Sequence, residues 1–294
     1  MERKEFYEAV RRATDEKTGY ACEVVEVTKN NGVRLTGIKL HEKGELCAPI
    51  IYLDDMYESL GEQADGVMRA CNEVLHQYGE HKGAVTDINW INDYKIIRDY
   101  IYPKLINRDC NLEMEQEVPG RNFMDLRLVY YIRIRGLAEK ASVLIRESML
   151  SVWGCSEDEL FETAINNIQG NSMIEPMTDV IYRVSGEELT DSDCDMYIAT
   201  NRDMYFGAVS MLNKDMLAEF AGSCGAKKLT IIPSSVHEVI ILKDTTEDEA
   251  LMDMLRAVNQ EYVSAEEFLS NNLYKFDAAR MEYEVVEQIN EITK

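Results

Sequence analysis

Ten residues from Leu126 to Arg135, LRLVYYIRIR, constrain the fold more than any other stretch of the chain. Leu126, Leu128, Tyr130, Ile132 and Ile134 fall on one face, while Arg127, Val129, Tyr131, Arg133 and Arg135 fall on the other. An extended chain sends successive side chains to opposite faces, so this period of two specifies a strand. A lone strand leaves its backbone groups unpaired, so the chain must build a sheet around it. Most of the remaining apolar residues recur every three or four positions, the helical period. A helix-rich N-terminal region followed by a β-β-α-β-β unit packed by helices predicts an α+β (mixed α/β) protein.

The N-terminal part reads as helix-rich with one hairpin. Phe6, Val10 and Ala13 line one side of a helix over 2–14. Val25–Val27 and Val33–Leu40 flank Asn30-Asn31-Gly32, residues that tolerate a positive φ and so predict a β-hairpin. The segment from Ile50 to His81 reads as a long helix weakened by Gly61 and Gly66. Asp87 is placed to cap a second helix from Ile88 to Leu105, ended by Pro103. Two more helices are expected over Ser142–Trp153 and Asp158–Ile168, the second opened by a Ser156–Glu159 capping box.

Polar composition over 170–195, interrupted by a short Met/Pro segment at Met173–Ile181, predicts a boundary near residue 190. It would divide an α+β region of 1–190 from an α+β domain of 191–294. The later part reads as a β-β-α-β-β unit covered by helices. MYIATN and YFGAVSML form a first hairpin, and a helix spans Asn213–Ala221. KKLTIIP and HEVIILK form a second strand pair about Pro233–Val236. Apolar residues on both faces of Ile231-Ile232 and Val239–Leu242 predict strands covered on both sides. A helix over Thr246–Asn259, a capping box at Ser264–Glu267 and a short hairpin complete the chain.

Charge narrows the function classes. The 294 residues carry 31 Lys+Arg and 54 Asp+Glu, a net charge of −23. The excess is uneven: −6 over 1–100, +1 over 101–150 and −18 over 151–294. Such a field repels polyanions and disfavours nucleic-acid binding through phosphate. It selects basic protein partners and speeds their encounter. No apolar run reaches the ~18 residues of a spanning helix, and the N-terminus lacks a signal-peptide core. Seven scattered cysteines without C-x-x-C spacing read as small hydrophobes of a reducing cytoplasm.

The segments MYIATNRDMYFGAVSMLNKDMLAEFAGSCG, LTIIPSSVHEVIIL and LRAVNQEYVSAEEFLSNNLYKFD resemble the uncharacterised bacterial family DUF5688, as does SMLSVWGCSEDELFETAINN. The resemblance runs from about Leu144 to Asp277, with P-S-S-x-H-E its most specific part. It implies a shared fold and a bacterial cytosolic origin, and it transfers no mechanism.

Two groups of residues are candidate sites. Ser234, Ser235, His237 and Glu238 set hydroxyls two or three positions from an imidazole beside a carboxylate. A serine hydrolase needs such types, although its nucleophile usually sits on a Gly-x-Ser-x-Gly elbow, absent here. The plainer reading is a turn held by its own hydroxyls. Arg127, Arg133 and Arg135, with Tyr131, could hold a carboxylate or phosphate, or else pair with acidic neighbours on a solvated sheet face. His76 and His81 are five apart, wrong for one helix face. Asp54-Asp55 with Glu58, and Asp191, Asp193 and Asp195, lack the Gly and distal Glu of a calcium loop. No phosphate-binding glycine loop occurs, so neither metal nor cofactor is expected. The charge favours a non-enzymatic interaction or regulatory protein with a basic partner, one form being a decoy of nucleic acid. A hydrolase on Ser234, Ser235 and His237 and an anion-binding module on Arg127, Arg133 and Arg135 are the alternatives.

Overall fold

The computed structural model describes residues 1–41, 50–81, 89–134, 142–188, 196–244 and 248–286. The chain forms two compact units, Met1–Ile97 with Ile134–Ala141, and Arg98–Arg133 with Ser142–Lys294. Both are α+β, and all pairings in the three sheets are antiparallel.

The first unit comprises α1 (Arg3–Thr18), β1 (Ala21–Thr28), β2 (Arg34–His41), β3 (Ile50–Tyr52), α2 (Asp54–Leu60), α3 (Gly66–His81) and α4 (Tyr94–Ile97). The expected hairpin forms: Val27 pairs with Leu35, and Asn31 and Gly32 take φ of 58° and 70°. Phe6, Val10, Ile38, Leu40, Ile51, Leu53, Cys71 and Val74 make its core. The long helix expected from Ile50 is instead a strand and two helices. Ile50–Tyr52 joins the sheet beside β2, and the residues from Gly61 to Gly66 separate α2 from α3. Asp54 accepts hydrogen bonds from the Thr36 N–H (2.7 Å) and the Tyr7 hydroxyl (2.9 Å), so its carboxylate is tied into the fold.

The second unit opens with β4 (Ile101–Asn107), β5 (Gly120–Phe123), β6 (Leu126–Arg133) and β7 (Ser142–Leu144). A helix was expected through Leu105, because Ile91, Tyr94, Ile97 and Ile101 recur at helical spacing. Short helical turns end at Tyr100, and Ile101–Asn107 is an edge strand on β6, where Pro103 lacks only a hydrogen bond it need not make. Asp87 lies outside the described residues. β6 is central, with β4 along one edge and β5 then β7 along the other. Ser142–Leu144 is thus a strand, and the helix expected from Ser142 starts only at Glu147.

There follow α5 (Glu147–Trp153), α6 (Glu157–Gln169), β8 (Ser172–Pro176), α7 (Met177–Ser185), β9 (Met196–Asn201), α8 (Lys214–Cys224), β10 (Lys228–Ile232), β11 (Val239–Lys243), α9 (Asp248–Glu261), β12 (Leu273–Asp277) and β13 (Glu282–Val286). The Ser156–Glu159 capping box forms at the start of α6. The boundary expected near residue 190 lies within 189–195, outside the described residues, and β8 and β9 pair across that segment in one six-stranded sheet. Its order is β13-β12-β10-β11-β9-β8. Gly207–Leu212, expected as the second strand of a hairpin with β9, is a 3₁₀ helix, and β9 lies between β8 and β11 instead. The two sheets of this unit are joined by Asp125 in the β5–β6 turn. It accepts hydrogen bonds from Ser270 (2.6 Å), Asn272 (3.0 Å) and Tyr274 (2.8 Å).

Candidate functional site

Pro233–Glu238 links β10 to β11, and the turn is held by its own polar groups. The His237 N–H donates to Ser235 Oγ (3.0 Å), and the Val236 N–H donates to the Glu267 carbonyl (3.0 Å). Both hydroxyls donate to one oxygen of Glu238, from Ser234 at 3.0 Å and Ser235 at 2.8 Å. The second carboxylate oxygen of Glu238 has no hydrogen-bond partner among the described residues.

The structure therefore brings Ser234, Ser235 and Glu238 together and turns the imidazole elsewhere. His237 Nδ1 accepts the Phe206 N–H at 3.1 Å, which leaves the proton of the neutral ring on Nε2. Nε2 lies 3.4 Å from the Glu267 carboxylate. The ring also stacks on Tyr205 and Phe206, with centroids 5.3 and 5.7 Å away. Glu267 was expected in a helix-opening capping box. It donates its N–H to Ser264 in an isolated turn, and its side chain faces His237.

What aims the imidazole is the segment after β9. Buried Asn201 accepts the Asp203 and Tyr205 N–H groups and donates to the Tyr205 carbonyl. This clamp holds Met204 and Phe206 at φ of 49° and 52°, left-handed values that are strained for side-chain-bearing residues. Gly207 follows because nothing larger fits: a Cβ there would lie 2.1 Å from Thr200 Oγ1 and 2.5 Å from the His237 carbonyl. Asn201, Gly207 and Glu267 were not singled out as site residues from sequence. The tight Phe206-Gly207 step was the one signal that could have marked the segment.

These groups form one end of an open cleft of about 520 Å³. Its walls are apolar: Met177 and Val180 of α7, Ile198 of β9, Ile240 of β11, Met204, and Val258, Tyr262 and Val263 at the end of α9. Ser234, Ser235, His237, Glu238 and Glu267 supply the polar end. That end therefore gathers two carboxylates, Glu238 and Glu267, around the imidazole.

The arginine strand differs. Its outward face is not solvated, because Arg127 and Tyr131 are buried. Arg127 donates to the Val118 carbonyl (3.1 Å) and lies 3.6 Å from Glu115. Arg133 pairs with Asp203 at 2.7 Å and covers the Tyr102 ring at 4.3 Å. Burial raises the Tyr131 hydroxyl to about 12, so it stays protonated. Six residues of strand separate Arg127 from Arg133 by roughly 20 Å, so the two do not converge. Arg135, Asp191, Asp193 and Asp195 lie outside the described residues. Tyr131 meets Phe206 edge to face at 5.1 Å, which joins this strand to the loop that aims His237.

Among the described residues, no group of three His, Cys, Asp or Glu side chains is arranged to hold a metal ion. No described helix is long and apolar enough to cross a membrane. Cys22, Cys71, Cys110, Cys155 and Cys224 are free thiols, and Cys110 is exposed, unlike the buried cysteines expected. The model of DUF5688, described as a family of unknown function, matches residues 3–278, and so reaches into the N-terminal half, where no motif was legible. No curated protein and no solved structure matches the chain.

Proposed function

The chain belongs to DUF5688, and we propose that it is a binding protein that captures a basic partner by drawing a lysine or arginine side chain into the Glu238–Glu267 cleft. The carrying observation is the open end of the cleft, where Glu238 keeps one oxygen free among the described residues and Glu267 stands beside His237. A long cationic side chain has an apolar stem and a charged head. The stem matches the methionine and valine walls, and the head matches the Glu238 and Glu267 carboxylates that line the polar end. The volume lies within the usual 300–1,000 Å³ range of ligand sites. The excess of −18 over residues 151–294 favours the encounter electrostatically.

The hydrogen bonds at the turn weigh against a serine hydrolase. A nucleophilic hydroxyl needs a base within reach, whereas both hydroxyls point at Glu238 and both ring nitrogens of His237 have partners. Fluorescence anisotropy with labelled pentalysine tests the binding reading. The affinity is expected to fall about tenfold in the Glu238→Gln/Glu267→Gln variant, and to fall further as salt rises and screens the charges. Equal affinity for the variant and the native protein would overturn it.

A further inference from the structure

Helix α9 has two apolar faces, and the sheet accounts for one of them. Met252 and Leu255 are buried in a cluster with Ile232 and Leu273. Ala250, Met254, Ala257, Val258 and Tyr262 are all exposed, Tyr262 by 75%. The spacing of four, three and one puts Ala250, Met254, Ala257 and Val258 on one side of the helix, and Tyr262, four residues on, follows directly past its end with its N–H on the Val258 carbonyl. The stripe runs directly into the cleft, because Val258 and Tyr262 are also cleft walls. Exposed apolar stripes of this length mark interaction surfaces in soluble proteins.

The surroundings say what fits. Glu249, Asp253 and Glu261 are exposed beside the stripe, and Arg256 lies 3.9 Å from Asp253. On α7, Arg183 is paired with Glu175 at 2.5 Å. A second copy of this chain, also at −23, would bring like charge to like charge. An extended peptide gains affinity by pairing with a free strand edge, and a helix surface offers none, since its backbone groups bond internally. An amphipathic helix needs only side-chain contacts. The stripe spans about 18 Å from Ala250 to Tyr262, the length of a three-turn helix.

We infer that the outward face of α9 seats a basic amphipathic helix of the partner protein, with an apolar stripe on Met254, Val258 and Tyr262 and a terminal lysine or arginine in the cleft. This rests on the proposed capture of a basic side chain and adds the shape of the element that carries it.

Three probes separate the two ideas: a Leu/Lys peptide of about 14 residues with helical periodicity, the same composition in strict alternation, and pentalysine. Anisotropy and peptide circular dichroism are read with native protein and with Met254→Ser and Val258→Ser, substitutions at exposed positions that leave the charge unchanged. The helical-period peptide is expected to bind about tenfold tighter than the alternating one and to gain helix on binding. Met254→Ser, which lies outside the cleft lining, should weaken the helical-period peptide about fivefold and leave pentalysine unchanged, while Val258→Ser, on a cleft wall, should weaken both. Equal binding of the two Leu/Lys peptides, or serine variants without effect, would overturn the helix seat. Pentalysine binding that still depends on Glu238 and Glu267 would leave the cleft reading standing in that case. Loss on the serine variants without loss on the glutamine variant would sustain the helix seat and overturn the cleft reading.

Discussion

The β6 strand and the Pro233–Glu238 turn both look like functional sites by residue type, and the fold treats them in opposite ways. Arg127 is enclosed between a backbone carbonyl and Glu115, and Arg133 is held by Asp203 and Tyr102. The turn gathers its hydroxyls on one oxygen of Glu238, a residue that lines an open cleft, and leaves the other without a partner among the described residues. The difference lies in what surrounds the charge. Arg127 Nε and Arg133 Nη2 lack a hydrogen-bond partner among the described residues but are buried, whereas Glu238 lines a concave surface that a ligand can reach.

The contrast breaks most severely at Gly207. Gly207→Ala forces a Cβ against Thr200 and the His237 carbonyl, and should cost about 3 kcal/mol in urea unfolding. A melt unchanged within error would mean that the loop after β9 does not pack as described. Arg127→Ala should follow at about 2 kcal/mol, because it strands the buried Val118 carbonyl and empties packed volume. Pentalysine affinity should stay within twofold of the native value in that variant. If affinity falls with stability intact, the strand is a binding surface and the contrast fails.

A smaller effect comes from Glu157 at the start of α6. Burial opposes its ionisation, but hydrogen bonds from Arg121 and from the Tyr130 hydroxyl outweigh it and hold the carboxyl below its usual range. Its stabilisation is therefore full above the unfolded carboxylate value and is lost as pH falls through the lower folded one. Glu157→Gln should cost about 1 kcal/mol at neutral pH and flatten the acid limb of a melting-temperature profile. An unaltered acid limb would count against this account of β6 as a structural strand.

Local chemistry made some of this legible. Asn30-Asn31-Gly32 specified a turn through positive φ, Ser156–Glu159 specified a helix start, and the alternation from Leu126 specified β6. Where period alone was available, tertiary pairing decided. Ile91, Tyr94, Ile97 and Ile101 fit a helix, yet β6 recruits Ile101–Asn107 as an edge strand. At the site, the turn residues were visible because they are contiguous. Asn201, Gly207 and Glu267 were not, because their roles depend on contacts made across strands and turns. The burial of the arginine face was equally invisible, since alternation assigns residues to faces without saying what covers them.

The most direct test sets the two regions side by side with one probe. Labelled pentalysine is titrated into native protein, the Glu238→Gln/Glu267→Gln variant and Arg133→Gln, with folding of each checked by its melt. The cleft variant should bind about tenfold more weakly, and Arg133→Gln should match the native protein within about twofold. Native-like binding by the cleft variant, with the larger change at Arg133, would contradict the account.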